Sequence, residues 1–114
     1  MFLRPLEQRW NGLINLMTEN YKTLTLEESV KYMAISKNYF CKIFKQYFGV
    51  SFLQYLNNLK VQRAKHLLVN TNKSIESICE ESGFTQSKYF YKTFKESEGI
   101  TPLKYRKSMN NNKK

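Results

Sequence analysis

Residues 51–70 read SFLQYLNNLKVQRAKHLLVN, and this stretch decides the fold because it predicts one long helix between two similar halves of the chain. Ser51 and Gln54 have the spacing of a capping box, in which each side chain accepts a backbone N–H at the helix start. Apolar residues then recur at nearly helical spacing, at Phe52, Leu56, Leu59, Ala64, Leu67 and Leu68. We therefore expect a helix that buries one end against one neighbour and the other end against another.

The two halves repeat each other at an offset of 50 residues. Eight identities relate residues 39–55 to residues 89–105 at that offset. Upstream the offset becomes 49, which aligns Leu26 with Ile75 and leaves one extra residue in the second copy just after Thr85. A repeat of this length indicates a supersecondary unit that is used twice.

Composition restricts both the fold and the partners of the chain. Its 114 residues include only four glycines and two prolines, and no β-type alternation persists, so we expect an all-α fold with no deep catalytic cavity. No run of 18 apolar residues and no signal peptide occur, which predicts a cytoplasmic protein that does not span a membrane. The net charge of +10 and pI of about 9.7 predict an anionic partner, either nucleic acid or a membrane surface.

Local signals in the first half predict three helices. The first helix begins at about Leu6 and extends to about residue 20. Thr25 and Glu28 form a second capping box, for a helix ending at Met33. After a short turn, a helix at 37–48 begins behind the cap residue Ser36 and ends at Gly49, a left-handed C-cap. Two helices around a short turn, the second rich in cations, are typical of a helix-turn-helix motif.

The second half repeats this layout. Ser74 caps a short helix, Ser82 and Gly83 form the turn, and a helix from about 85–87 to about 97 ends at Gly99. Thr101 and Pro102 then start a last short helix, from which Leu103 and Tyr105 are expected to pack back. The predicted organisation is an N-terminal helix with the first helix-turn-helix subdomain at 1–50, a linking helix at 51–70, the second helix-turn-helix subdomain at 71–108 and a disordered tail at 109–114.

The second helix of each motif presents a polar stripe opposite its buried face. In the first copy the apolar positions Phe40, Ile43, Phe44 and Tyr47 take one face, and the first recognition stripe takes the other, with Asn38, Cys41, Lys42 and Lys45. The second recognition stripe comprises Lys88, Tyr91, Lys92 and Lys95. A helix fits the major groove of B-DNA, where Asn pairs with adenine and Lys reaches guanine acceptors or phosphates. The alternative, that these lysines are only a solvated face, is disfavoured because the stripe occurs twice.

The length of the linking helix predicts how the two stripes are used. Roughly twenty residues at about 1.5 Å rise each give about 30 Å, close to the roughly 34 Å of one turn of duplex DNA. Two recognition helices at that separation would enter successive major grooves. A single chain would then bind an asymmetric site.

Two runs of the sequence also resemble a known family. YFCKIFKQYFGVSFLQYLNNLKVQRAKHLL and SIESICEESGFTQSKYFYKTFKESEGITPLKYR resemble the DNA-binding domain of AraC/XylS-family transcription regulators, over about residues 13–107. The resemblance rests on the GF turn, the F-x-K/R-x-F-K helix and the G-x-T-P-x-x-Y-R ending, in order and at family spacing. It implies seven helices in two helix-turn-helix subdomains joined by a long helix, acting most often as a transcription activator at promoters. It also implies base-facing roles for Asn38, Cys41, Lys42, Ser87, Lys88 and Lys92.

The predicted DNA-binding residues are Ser36, Lys37, Asn38, Cys41, Lys42, Lys45, Gln86, Ser87, Lys88, Tyr91, Lys92 and Lys95. Three lysines, Lys42, Lys92 and Lys60, stand where the resembled family commonly has Arg, so base readout is expected to be either weaker or shifted toward A·T-rich sites and phosphates. Ala34 stands where the family often has a turn glycine, at a cost of about 1 kcal/mol if the residue is left-handed.

Other residue types do not indicate catalysis or cofactor binding. Cys41 and Cys79 lie too far apart in sequence for a metal pair, and Cys79 is predicted to be a small core residue. His66 has no acidic partner in register, and no catalytic triad, phosphate loop or carboxylate pair occurs. We therefore predict no enzymatic activity, no metal and no cofactor.

The sequence favours a sequence-specific binder of double-stranded DNA that regulates transcription, with RNA polymerase as a further partner and the isolated domain monomeric. The alternative is a protein-interaction module that docks on RNA polymerase or another regulator and has only non-specific DNA affinity. A membrane-surface protein is disfavoured because the cations lie on compact capped helices and not on one long amphipathic face.

Overall fold

A computed structural model describes residues 5–111 of the chain. That range contains seven α-helices and no strand: α1 (Leu6–Asn20), α2 (Leu26–Met33), α3 (Lys37–Phe48), α4 (Phe52–Asn70), α5 (Ile75–Glu81), α6 (Ser87–Glu98) and α7 (Pro102–Asn111). The prediction of an all-α fold with about seven helices is confirmed.

The chain forms two compact units, the first ending at Leu56 and the second beginning at Asn57. The boundary falls inside α4, the helix that the sequence predicted at 51–70. Residues 52–56 of α4 belong to the first unit and residues 57–70 to the second. Each unit therefore uses a different end of one continuous helix for its own core.

Aromatic side chains dominate the core of the first unit. The Trp10 indole of α1 stacks on the Phe40 ring of α3 with the centroids 5.6 Å apart. The Phe52 ring of α4 meets Phe40 and Phe44 edge-on, at 5.7 and 5.6 Å. These buried aromatic pairs hold α3 against α1 and the first turn of α4.

The second unit has a more aliphatic core. Its fully buried side chains include Val61, Ala64 and Leu68 of α4 and Ile78 of α5. The Phe90 and Phe94 rings of α6 close this core, 5.9 Å apart. Cys79 and Phe84 are also buried, which confirms the predicted core position of Cys79.

The repeat extends further than the sequence comparison detected. Helices α3 and α6 each have 12 residues and end at glycines with φ of 74° and 83°. The pattern of buried and exposed positions over residues 41–55 recurs without change over 91–105. In addition, the three buried residues of α1 each precede a buried residue of α4 by 51 positions, pairing Trp10 with Val61, Leu13 with Ala64 and Met17 with Leu68. Helix α1 is thus the first-unit counterpart of α4.

Both predicted capping boxes are present. The Thr25 N–H donates to Glu28 over 3.0 Å and the Glu28 N–H donates back to the Thr25 hydroxyl over 3.1 Å. Ser51 and Gln54 exchange the same pair of bonds, at 3.1 and 3.2 Å. The hydroxyl of Ser74 caps α5 by accepting from an N–H three residues later, 3.1 Å away. These bonds satisfy backbone donors that helix starts leave unpaired.

Three expectations about the cores and the tail were wrong. Tyr47 does not share the buried face of α3: its side chain is 77% exposed, and half-buried Phe48 stacks on Phe44 instead. Leu103 is 46% exposed and does not pack back, whereas Tyr105 meets the Phe94 ring at 5.5 Å.

The segment 109–114, predicted as a disordered tail, is helical as far as Asn111. Helix α7 continues because Met109 is partly buried in helical register with Pro102, Tyr105 and Arg106. Residues 112–114 lie outside the described range.

Candidate nucleic-acid interface

Helix α3 presents the first recognition stripe to solvent. Phe40 and Phe44 are fully buried and fix which side of the helix faces the core. All predicted interface residues at this end of the chain are exposed: Ser36, Lys37, Asn38, Cys41, Lys42 and Lys45. The helix therefore holds an amide, a thiol and lysine ammonium groups on one accessible surface, as its periodicity predicts.

Helix α6 repeats this arrangement in the second unit. Phe90 and Phe94 are fully buried, and the six predicted interface residues are exposed: Gln86, Ser87, Lys88, Tyr91, Lys92 and Lys95. Tyr91 is 37% exposed, and its ring lies 5.9 Å from that of Phe90. Its phenol still offers a hydroxyl and an aromatic face where the first stripe has Cys41.

The two helices begin differently. The Ser36 hydroxyl accepts the Tyr39 N–H over 3.2 Å and so caps α3. Gln86 occupies the N-cap of α6 and its side chain makes no capping bond, so the amide is free to contact a ligand. The extra residue after Thr85 accounts for this difference, because it places Gln86 where the first copy has its capping serine.

The buried Cys79 thiol belongs to the core of the second unit and donates to the Phe84 carbonyl over 3.7 Å. Burial raises the pKa of Cys79 above its ordinary value, and the nearby Ser87 hydroxyl only partly opposes the rise. Cys79 is therefore a neutral thiol at physiological pH and has the structural role that the sequence predicted.

The stripe lysines are free of ion pairs with protein carboxylates. Among residues 5–111, ion pairs form between Lys65 and Glu98 and between Lys73 and Glu81, each at 3.0 Å, and neither involves α3 or α6 lysines. The six lysines of the predicted interface therefore keep their charge for an external partner: Lys37, Lys42, Lys45, Lys88, Lys92 and Lys95. Exposed, uncompensated ammonium groups on one helix face bind phosphates and guanine acceptors well.

Interactions that the sequence did not predict hold α6 in place. The Asn57 amide of α4 donates to the Tyr89 hydroxyl over 2.8 Å, and Lys65 of α4 pairs with Glu98 at the last turn of α6. Burial alone would raise the pKa of Glu98, but the hydrogen bond from Ser97 and the Lys65 ammonium together lower it below its usual value. A charged Glu98 therefore links the two helices at neutral pH.

Two arginines satisfy carbonyl groups at helix ends. Arg9 of α1 donates to the Met33 carbonyl at the end of α2, over 2.6 Å. Arg106 of α7 donates to the carbonyls of Leu68 and Thr71 at the end of α4, over 3.0 and 3.2 Å. Both arginines place a cation at the negative end of a helix dipole. Arg106 belongs to the G-x-T-P-x-x-Y-R ending, so the motif marked the residue without revealing its partner.

Residues 5–111 contain no group of three or more His, Cys, Asp or Glu side chains placed to hold a metal ion. None of the helices in that range combines the length and the apolar composition needed to cross a membrane.

Comparison with known proteins identifies relatives with the same domain. A family profile described as a helix-turn-helix domain matches residues 30–108. Regulatory protein PocR of Salmonella typhimurium is 37% identical over 89 residues, which are 78% of this chain and 29% of that protein. The chain spans less than a third of the length of the first curated relatives that it matches.

Solved structures share the fold. The C-terminal domain of the two-component response regulator yesN from Fusobacterium nucleatum is 32% identical, with a TM-score of 0.80 over 87% of this chain and 98% of that one. The DNA-binding domain of AdpA, solved in complex with a target DNA, has a TM-score of 0.83 and covers 97% of each chain. Its identity of 20% makes that likeness one of fold alone.

Proposed function

The chain belongs to the AraC/XylS family of transcription regulators as a helix-turn-helix DNA-binding domain, and on this premise we propose that it binds specific sites in double-stranded DNA with α3 and α6 in successive major grooves. The observation that carries the proposal is the duplicated recognition surface. Two helices of equal length each bury two phenylalanines and expose lysines without ion pairs at matching positions. A merely solvated surface would have no reason to repeat in this way.

The side chains of the first stripe suit both base and phosphate contacts. Asn38 is able to make the bidentate pair with adenine N6 and N7, and Cys41 offers an apolar contact to a thymine methyl. Lys42 donates to guanine N7 or O6, but without the planar fork with which arginine fixes two acceptors. The first block of the site should therefore tolerate changes at guanine more than an arginine-based site would.

The second stripe supplies Lys88, Tyr91 and Lys92 for the adjacent groove. Gln86 is added to it because its uncommitted amide has the same donor and acceptor pair as asparagine. Ser87 is assigned a DNA contact as well, since it is exposed at the first residue of α6.

The choice of successive grooves rests on the helix that joins the units. Helix α4 has 19 residues, and at about 1.5 Å rise per residue its length is roughly 28 Å, comparable with the roughly 34 Å of one turn of duplex DNA. One chain would then occupy a site without two-fold symmetry. The proposal includes binding as a monomer, activation of transcription and RNA polymerase as the second partner.

The decisive experiment is selection from a randomised duplex library with the full chain, followed by binding of the selected duplex at several salt concentrations. We expect two conserved blocks whose centres are about 10 to 11 base pairs apart. Lys42→Ala should relax one block and Lys92→Ala the other, while each leaves the second block intact.

A different result would support the interaction-module interpretation. If no motif is enriched and affinity only falls with salt as counterion release requires, the chain binds DNA through charge alone. The two alanine variants would then weaken all duplexes equally.

A further inference from the structure

An open apolar groove of about 720 Å³ lies between α1 and α3 within the first unit. Leu6, Trp10 and Ile14 line one wall at intervals of four residues, and Ile43, Tyr47 and Phe48 line the other. Because both walls are helices and the lining of α1 spans just over two turns, the groove has the form that accepts a third helix.

The second unit shows that the fold does not require this apolar lining. Each groove residue of α1 has an equivalent in α4, 51 positions later, and each groove residue of α3 has one in α6, 50 positions later. Most of these equivalent residues are polar. Ile14 corresponds to Lys65 and Phe48 to Glu98, and those two side chains form an ion pair at 3.0 Å. Ile43 corresponds to Thr93 and Tyr47 to Ser97. The surface between the two equivalent helices thus carries polar side chains in the second unit and apolar side chains in the first.

DNA binding does not account for the exposed aromatic surface. Tyr47 is 77% exposed, yet its ring lies only 6.3 Å from the Trp10 ring, so it extends the apolar wall into solvent. At 100° per residue, the groove positions of α3 and the first recognition stripe point roughly 145° apart around the helix. An occupant of the groove would therefore leave the stripe free for DNA. An apolar patch of this kind usually marks a protein interface.

We infer that the groove is a docking site for an amphipathic α-helix of a partner protein, with a lysine or arginine beside its apolar stripe. Glu7 is the only charged residue among those that line the groove. No lysine or arginine is among the lining residues, so a cation on the occupant would pair with Glu7 without a competing ammonium or guanidinium inside the groove.

A second copy of the chain is a poorer match for this groove. Two copies meeting through the same face would leave Glu7 of each groove without a cation from the other groove and would bring two strongly basic chains together. The inference concerns a face that the proposed DNA contacts do not use, so it stands or falls independently of the proposed function.

The test uses the full chain and three synthetic peptides of about 15 residues, long enough for four helical turns. One peptide has leucines at helical spacing flanked by lysines, the second has glutamate for each lysine, and the third is the first with its order scrambled. Trp10 is the single tryptophan of the chain and lines the groove, so its indole N–H signal in a ¹⁵N-correlation spectrum reports occupancy directly. We expect the lysine peptide alone to shift that signal saturably.

Two variants give the test its controls. Ile43→Thr with Tyr47→Ser gives the groove the second unit's own residues and should weaken the lysine peptide at least about tenfold, since two apolar contacts are lost. Glu7→Lys should reverse the preference, so that the glutamate peptide binds better than the lysine peptide. Circular dichroism melts check folding, and binding of a fixed duplex should be unchanged in both variants.

Three outcomes would overturn the inference. The Trp10 signal could fail to shift with the lysine peptide, or all three peptides could shift it alike, which would indicate unspecific adhesion. The signal could instead shift on concentration of the chain alone, with dimers in sedimentation, which would show that a second copy fills the groove. If the wild-type chain does not bind duplex DNA, the proposed function is refuted, and the peptide result is unaffected.

Discussion

Ala34 is the only non-glycine residue with positive φ among residues 5–111. Its φ of 56° and ψ of 40° end α2 in the left-handed region, where the backbone N–H bonds to the carbonyls of Lys31 and Val30. This conformation costs an L-residue about 1–2 kcal/mol. The turn therefore has the geometry for which glycine is the usual residue, as the sequence comparison implied.

Ala34→Gly should raise the free energy of unfolding by about 0.5–1 kcal/mol, because relief of strain exceeds the entropy that glycine adds to the unfolded chain. Urea titration measures this as a higher midpoint at unchanged slope. Ala64→Gly is the matched control: Ala64 is buried inside α4, and the same substitution there should lower stability by about 1 kcal/mol or more. Destabilisation at both positions would mean that Ala34 is not strained.

Lys60 and Arg9 occupy equivalent positions, 51 residues apart, but make different contacts. Arg9 caps the end of α2 through the Met33 carbonyl. The Lys60 ammonium lies 5.6 Å from the centre of the Phe84 ring, and burial lowers its pKa. The cost of desolvating the Lys60 ammonium is thus offset only by a cation–π contact.

Lys60→Arg should stabilise the chain by about 1 kcal/mol, because the guanidinium is less strongly hydrated and can donate to the carbonyls that end α5. The reciprocal change, Arg9→Lys, should cost a similar amount by removing the bond to Met33. Thermal melts of the two single variants measure both effects. A lower melting temperature for Lys60→Arg would show that the second unit has no room for the larger head group.

At the scale of the helix, the pairing of α4 with α6 through Lys65 and Glu98 should make stability depend on pH. Both side chains are only 26% and 17% exposed. The folded-state pKa of Glu98 is lowered, so its contribution is fully present above the unfolded value of 4.5 and is lost as pH falls through the folded value.

Glu98→Gln should therefore reduce the free energy of unfolding at pH 7, by up to about 1 kcal/mol for a partly exposed pair. The difference from wild type should shrink on acidification below pH 4.5 and vanish once Glu98 is protonated in both states. Urea titrations at pH 7, 5 and 3 follow it. Glu81→Gln, which breaks the more exposed ion pair with Lys73, should change the free energy of unfolding little at any of the three pH values. A Glu98→Gln deficit that persists at pH 3 would assign the loss to packing.

Helix boundaries were predictable because their signals are local. Ser36 and Gly49 bound α3 from within one turn of its ends, and the Ser51 capping box fixed the start of α4. Contacts between helices were not predictable in the same way. The exposure of Tyr47 depends on where α1 crosses α3, and a wheel diagram of α3 alone cannot supply that crossing.

The accessibility of all twelve predicted interface residues follows from the same local logic, since buried phenylalanines fix the outward face. The role of Arg106 was not predictable, because its acceptors lie 35 and 38 residues away in sequence. The ion pair between Lys65 and Glu98 in the second unit was not predictable either. Predicting it requires knowing that α4 repeats α1, which sequence identity does not show.

At the scale of the whole molecule, the net charge of +10 alone predicts that DNA affinity falls with salt. That dependence does not separate sequence-specific binding from general attraction. Specific binding and general attraction differ in which lysines determine the salt dependence of the affinity. Each phosphate contact contributes about 0.9 to the slope of log K against log salt concentration, so a lysine that faces away from DNA should contribute almost nothing.

Lys42→Ala and Lys92→Ala should each reduce that slope by up to about 1 on the selected duplex if the lysine contacts a phosphate. A lysine that instead contacts a base should lower affinity for the selected duplex while the slope stays nearly unchanged. Lys22→Ala removes the same charge from the turn after α1 and should alter neither quantity. Equal effects from all three substitutions would mean that only total charge matters, and the assignment of α3 and α6 as recognition helices would fail.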